Sequence, residues 1–236
     1  QAKCFLYQVT DLTDSEQAQA QLIRATFFDP LTGLGNRARL HEQLELSVAM
    51  ARRERHEIAV VALDLDRFKY ANESLGHKAG DELLKEAGRR LAQSVRASDC
   101  VGRLAADEFA LVLPKAGDGA HMAYLLEKIR TAIAKPMRVG ETEVLLSCSL
   151  GVSVFPRDGD DADSLMRAAN TALAAAKAEG RNRYTFFHHE MVLPARRRQA
   201  LESRLGHAVE RGEMFLEFQP IFNVRSGSVE GFEALL

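Results

Sequence analysis

The chain has 236 residues, 46% hydrophobic and 27% charged, with a formal net charge of −2 at pH 7. That balance fits a folded, soluble protein and excludes a disordered one, and it gives no electrostatic drive toward nucleic acid or an anionic membrane. Cys4, Cys100 and Cys148 are scattered with no CxxC pair, no apolar run spans a bilayer, and no secretion signal opens the chain. This pattern argues against a disulfide frame, a zinc site or membrane contact, and for a reducing, cytoplasmic setting.

In chain order, Cys4 to Val9 reads as a strand, and Thr13-x-x-Glu16 as a capping box opening a helix from about Asp14 to Phe28. Asp29-Pro30 ends that helix, because the residue before proline avoids the α region. The loop Leu31-Thr-Gly-Leu-Gly-Asn36 follows, and a helix then runs to about Glu54. A strand over Glu57 to Leu63 precedes paired helices between Phe68 and Arg96. Strands at Asp99 to Leu104 and Asp107 to Leu113 come next, then a helix over Ala120 to Ala134. A strand ending in Ser147 to Phe155, a helix over Ala162 to Glu179 and a strand at Tyr184 to Phe187 close the set. This order predicts an α+β fold, a ferredoxin-like or palm-type sandwich with a central, mainly antiparallel sheet and flanking helices. Beyond it lie a charged helix, about Glu190 to Arg211, and a strand at Phe215 to Phe218. Gln1 falls inside a predicted strand and Leu236 inside an apolar run, so the sequence reads as a segment of a longer protein.

Asp64 and Asp66 stand at the end of the apolar strand Ile58 to Leu63, and alternation puts their carboxylates on one face if the strand persists. Asp107-Glu108 follows a tight turn at Ala105-Ala106 and precedes another apolar strand. Two neighbouring strand ends each offering an acid suit Mg²⁺, which takes oxygen ligands and shares them with substrate phosphates. Alone, either pair would be an ordinary solvated strand end.

The surroundings decide the matter. Asp64-Leu-Asp66-Arg-Phe68-Lys69-Tyr-Ala-Asn72 is followed by Gly76-His77, Gly80-Asp81, Arg103-Leu-Ala-Ala-Asp107-Glu108-Phe109, Ser149-Leu-Gly-Val-Ser153 and Ala176-Lys177-Ala-Glu-Gly180-Arg181-Asn182. With Asp29-Pro-Leu-Thr-Gly-Leu-x-Asn36, this ordered set resembles the GGDEF family of diguanylate cyclases. The resemblance implies that Asp64, the Leu65 carbonyl and Asp107 ligate Mg²⁺ (or Mn²⁺) and that Glu108 supports catalysis. It implies that Phe68 and Lys69 line the phosphate site, Asn72 and Asp81 read the guanine edge, and Lys177 and Arg181 hold the terminal phosphates of GTP. Lys177 and Arg181 are four apart, which places them on one face of a continuing helix. Arg96-Ala-Ser-Asp99 resembles the family's RxxD inhibitory motif, where cyclic di-GMP binds. His77 reads as structural, and His188-His189 has no third ligand for a metal.

The pattern departs from the family at its signature, where Ala105 and Ala106 replace two glycines. Left-handed backbone costs a non-glycine residue roughly 1–2 kcal/mol, so the alanines imply strain or another turn type. Asn170 and Ala174 also stand where the family pattern has aspartate and tyrosine. With every predicted ligand present and the turn altered, the expectation is a domain that binds GTP but is weak or inactive as a cyclase. The flanks resemble other signalling modules: residues 4–22 a PAS exit strand and helix, Phe215 to Ile221 and Gly231 to Leu235 the opening of an EAL phosphodiesterase domain. The expected organisation is 1–28 sensor exit and signalling helix, 29–188 GGDEF domain, and 189–236 linker helix and start of the EAL domain. Dimerisation through the leading helix is expected, because a cyclase joins two GTP molecules across facing half-sites.

Overall fold

The structure, a computed structural model, describes residues 24–117, 119–191, 208, 212 and 215–235. The strand from Cys4, the PAS-like segment, most of the helices from Asp14 and Glu190, and with them the expected dimer contact, lie outside the described residues. The chain divides into two compact units, one up to Met191 and one from Val192.

In the first unit, helix α1 (Arg37–Glu54) starts where the Asn36 side chain accepts the Arg39 N–H. Strand β1 (Ile58–Leu65) is buried along its whole length, which is why it reads as an unbroken apolar run. Helices α2 (Phe68–Leu75) and α3 (His77–Ser94) meet at Gly76. Then come β2 (Cys100–Ala105), β3 (Glu108–Leu113), α4 (Gly119–Ala134), a small hairpin of β4 (Met137–Val139) and β5 (Thr142–Val144), β6 (Cys148–Phe155), α5 (Ala162–Ala178) and β7 (Tyr184–Phe186). Asp161 and Ser164 form a reciprocal capping box at the start of α5.

The main sheet has the order β2-β3-β1-β6-β7; every pairing is antiparallel except β6 with β7, which is parallel. This is the predicted α+β architecture with a mainly antiparallel central sheet. The β4–β5 hairpin was not expected from the sequence. Strand parity divides the core in two. Ala59, Val61, Leu63 and Leu65 pack with Phe68 of α2, Leu83 of α3 and Leu126 of α4. Ile58, Val60 and Ala62 pack with Leu40 and Leu44 of α1 and Leu165 and Ala169 of α5. Asp64 continues the second set, so it leaves the apolar core on the α5 side. Among the described residues, no helix is long and apolar enough to cross a membrane.

Arg90 closes the C-terminal end of α4: its guanidinium donates to the carbonyls of Ala132 at 2.9 Å and Pro136 at 2.7 Å, while its Nε binds Glu86 at 2.7 Å. Hydrogen bonds from Arg89 and Arg90 hold the Glu86 carboxyl down at about 2, against an opposing effect of burial. Because the folded pKa lies below the ordinary value of 4.5, Glu86 stabilises the fold above that value, and the contribution is lost as pH falls toward about 2. Glu86→Gln is expected to lose less thermal stability than the parent chain between about pH 5 and pH 2. Parallel melting curves for the two proteins across that window would show the assignment to be wrong.

In the second unit, β8 (Glu217–Phe222) and β9 (Val229–Leu235) form an antiparallel hairpin that pairs Gln219 with Glu233. Phe218, Ile221 and Phe232 are exposed on it.

Candidate functional site

The sheet register brings the sequence-predicted acids together. Asp64 lies opposite Glu108 on one side and Ser149 on the other. The Leu65 N–H donates to the Asp107 carbonyl at 3.4 Å, so the hairpin tip sits against the end of β1. From α5, Lys177 reaches the Asp64 carboxylate with Nζ to Oδ2 at 2.6 Å. Burial pushes the Asp64 carboxyl above its ordinary value, and the negative charges of Asp107 and Asp66 add to this against the pull of Lys177. Among the described residues no three His, Cys, Asp or Glu side chains converge as a complete metal cage. Asp64 and Asp107 offer the carboxylate oxygens that a Mg²⁺-type ion takes beside main-chain, water and phosphate oxygens.

The tip differs from the predicted turn. A bulge between Arg103 and Ala105 shifts the register, so Ala105 pairs with Glu108 and the turn residues are Ala106 and Asp107. Ala105 remains in the strand; Ala106 alone takes positive φ, at 31°. Arg103 braces this geometry by donating from Nε to the Ala106 carbonyl at 2.9 Å and from Nη1 to both Asp29 oxygens at 3.1 Å. Burial works against ionised Asp29, but hydrogen bonds from Thr32 and Arg103 outweigh it and hold the carboxyl below its usual range. The loop before α1 thereby ties to the hairpin. Both alanines line a cavity of about 920 Å³ shared with Phe28, Pro30 and His41.

On the other side of β1, Asn72 and Asp81 come from α2 and α3. A Cβ at Gly80 would lie 2.1 Å from Asn72 Oδ1 and 3.3 Å from Phe68 Cζ, so any other residue there would displace the Asn72 amide. Asn72 Oδ1 is buried without a hydrogen-bond partner, as expected of a group whose partner is a ligand. Asp81 is exposed beside it. The Phe68 side chain is buried in the core. Helix α2 has no side-chain cap, and its Tyr70 and Ala71 N–H groups donate to the Arg67 carbonyl at 3.0 and 3.3 Å. Lys69 is exposed and pairs with Glu73 at 3.8 Å.

Lys177 and Arg181 do not share a helix face. Helix α5 ends at Ala178, and Gly180, Arg181 and Asn182 take φ values of 114°, 64° and 49°, so the helical path stops before Arg181. Arg181 is exposed on this turn. The turn is held by Asp66, which accepts the Asn182 N–H at 3.0 Å.

The Arg96–Asp99 motif forms a separate site. Asp99 accepts the Arg96 main-chain N–H at 2.9 Å, and the Arg96 guanidinium lies 2.9 Å from His121 Nε2. A cavity of about 240 Å³ is lined by both residues with Lys115, His121, Tyr124 and Lys128. Sequence reasoning missed the last four, because α4 supplies three of them from 25 or more residues downstream.

The profile of the family described as "Diguanylate cyclase, GGDEF domain" matches residues 26–183, and the chain belongs to that family. It is 38% identical over 224 residues to the bifunctional diguanylate cyclase/cyclic di-GMP phosphodiesterase MucR of Pseudomonas aeruginosa, covering 95% of this chain and 33% of that protein. The chain spans about a third or less of the length of the first curated relatives it matches. Among solved structures it resembles the GGDEF domain of TpbB (YfiN) from P. aeruginosa, with TM-score 0.70 and 31% identity over 72% of this chain and 99% of that one. It also resembles the coiled coil and GGDEF domain of DgcB from Caulobacter crescentus in complex with c-di-GMP, with TM-score 0.69 and 26% identity over 74% of this chain and 93% of that one.

Proposed function

We propose that this GGDEF domain binds GTP with a divalent cation, is weak or inactive in condensing two GTP molecules to cyclic di-GMP, and serves as a regulatory module for an EAL phosphodiesterase domain. One contrast carries the reading: the carboxylates and Lys177 are assembled around Asp64, whereas the hairpin tip that should carry the nucleotide holds Ala106 at positive φ. Asp64, Asp107 and the Leu65 carbonyl would hold Mg²⁺ or Mn²⁺, which would neutralise triphosphate charge. Asn72 and Asp81 would receive the guanine edge, the uncapped start of α2 the phosphates, and Lys177 and Arg181 the terminal phosphate. Glu108, opposite Asp64 in the sheet, would assist the 3′-hydroxyl. The regulatory role is supported by MucR, a protein about three times as long that combines both activities. It is supported too by the EAL-like motifs, which fall on β8 and β9. The boundaries at 28/29 and 188/189, the cytoplasmic setting and dimerisation through the leading helix belong to the same proposal.

A second reading, a cyclic di-GMP receptor, draws support from the Arg96–Asp99 cavity with its added basic and aromatic lining. At about 240 Å³ it falls below the roughly 300–1,000 Å³ of small-molecule clefts, so it suits one base of the dinucleotide.

The test is incubation with GTP and Mg²⁺, with product separated by chromatography, alongside titrations with a non-hydrolysable GTP analogue. The parent chain is expected to bind the analogue and form little product. The double replacement Ala105→Gly with Ala106→Gly removes two methyl groups and the positive-φ strain, and is expected to raise turnover by roughly tenfold to a hundredfold. Rapid product formation by the parent chain would identify it as an active cyclase instead. Tight cyclic di-GMP binding without analogue binding would favour the receptor.

A further inference from the structure

Asp66 is the acid at the end of β1 that the metal reading leaves unused, and its surroundings give it a different task. It is 5% exposed and its carboxylate is fully engaged. Oδ1 accepts from Ser149 Oγ at 2.7 Å, and Oδ2 accepts from Ser147 Oγ at 2.6 Å and from the Asn182 N–H at 3.0 Å. Its own N–H donates to the Ser147 carbonyl at 2.9 Å. One carboxylate thus joins the end of β1, the start of β6 and the turn after α5. That turn holds Arg181 and Asn182, two consecutive non-glycine residues in left-handed backbone, a conformation that persists only where surrounding contacts enforce it. Two further contacts fix it: the Arg181 N–H donates to the Ala176 carbonyl at 3.1 Å, and Arg130 Nη1 donates to Asn182 Oδ1 at 2.9 Å. The Asp66 bond is the one that ties the turn to the strand carrying Asp64.

We propose that Asp66 is a positioning residue for Arg181: by holding the turn after α5 against the end of β1, it sets the guanidinium at a fixed distance from the carboxylate pair, where a nucleoside triphosphate presents its terminal phosphate. The inference rests on the GTP-binding reading above. It differs from a purely structural bolt in what it predicts, because loss of Arg181 placement affects the terminal phosphate and leaves the guanine and the inner phosphates alone.

The test is calorimetric titration, on the intact chain with Mg²⁺, of a non-hydrolysable GTP analogue and of GDP, for the parent, Asp66→Ala, Arg181→Ala and the double variant. Asp66→Ala is expected to weaken the GTP analogue roughly tenfold and GDP less than about threefold, as loss of one charge-assisted contact would. The double variant should be no worse than Arg181→Ala, because the two residues act as a unit. Asp66→Asn, whose amide oxygen can keep the Asn182 bond while its NH₂ donates to Ser149, should restore the affinity. If Asp66→Ala does not fold, Asp66→Ser, too short to reach Asn182, is read in its place. Unchanged GTP-analogue affinity, equal losses for both nucleotides, or losses that add in the double variant would overturn the proposal. A parent chain that binds neither nucleotide would instead remove the GTP reading on which it stands.

Discussion

Gly151→Ala is expected to destabilise the domain by at least about 3 kcal/mol, the upper part of the range for an overpacked core. The new Cβ would lie 2.1 Å from both the Ala169 carbonyl oxygen and the Leu173 nitrogen, and 2.7 Å from Leu173 Cα. These are backbone atoms of α5, so no rotamer change relieves the clash and the helix must move off the sheet. That helix is seated elsewhere by Leu165 and Ala172, both fully buried, and by Ser153 Oγ donating to the Leu165 carbonyl at 2.8 Å. A shift at Gly151 therefore opens the α1–α5 core over several turns. It also carries Lys177 away from Asp64, so any folded fraction should bind nucleotide poorly. Urea unfolding followed by circular dichroism checks the first part. A midpoint within experimental error of the parent's would mean that α5 does not pack on β6 this closely.

Where the chemistry depends on spacing within a strand, the sequence is legible. Asp64 continues the parity of Ile58, Val60 and Ala62, and the structure places it on the α5 face with Lys177. Where it depends on how a segment ends, the sequence misleads. The Lys177–Arg181 spacing reads as one helix face, but a positive-φ turn from Gly180 ends the regular geometry before Arg181. The signature turn reads as Ala105-Ala106, but the bulge after Arg103 moves it by one residue. The β4–β5 hairpin has strands of three residues, too short to show a two-residue period. His121, Tyr124 and Lys128 meet Arg96 because α4 packs against α3, and no local pattern encodes that approach. Asp66 was legible as an acid on the correct face, whereas its engagement with Ser147, Ser149 and Asn182 required the fold.

The opposite signature is expected at Asp64. Asp64→Asn should lower Mg²⁺-dependent affinity for a non-hydrolysable GTP analogue at least about a hundredfold, beyond the 10–100-fold that outer-shell partners of a metal cost. Stability should stay level or rise. Asparagine keeps the volume of a side chain that is only 12% exposed. It removes a charge that burial and the neighbouring Asp107 and Asp66 disfavour. Breaking a buried ion pair ordinarily costs about 3–5 kcal/mol, because the remaining charge is stranded. Lys177 is 35% exposed, however, so its ammonium can turn to water once Asp64 is neutral. Gly151→Ala loses binding together with the fold; Asp64→Asn should lose it while the fold persists, which separates a residue kept for its ligand from one kept for packing. Calorimetry with and without Mg²⁺, read against thermal melting of the same preparation, decides between them. Affinity within threefold of the parent, or a stability loss of more than about 1 kcal/mol, would make the Asp64–Lys177 contact an ordinary structural ion pair.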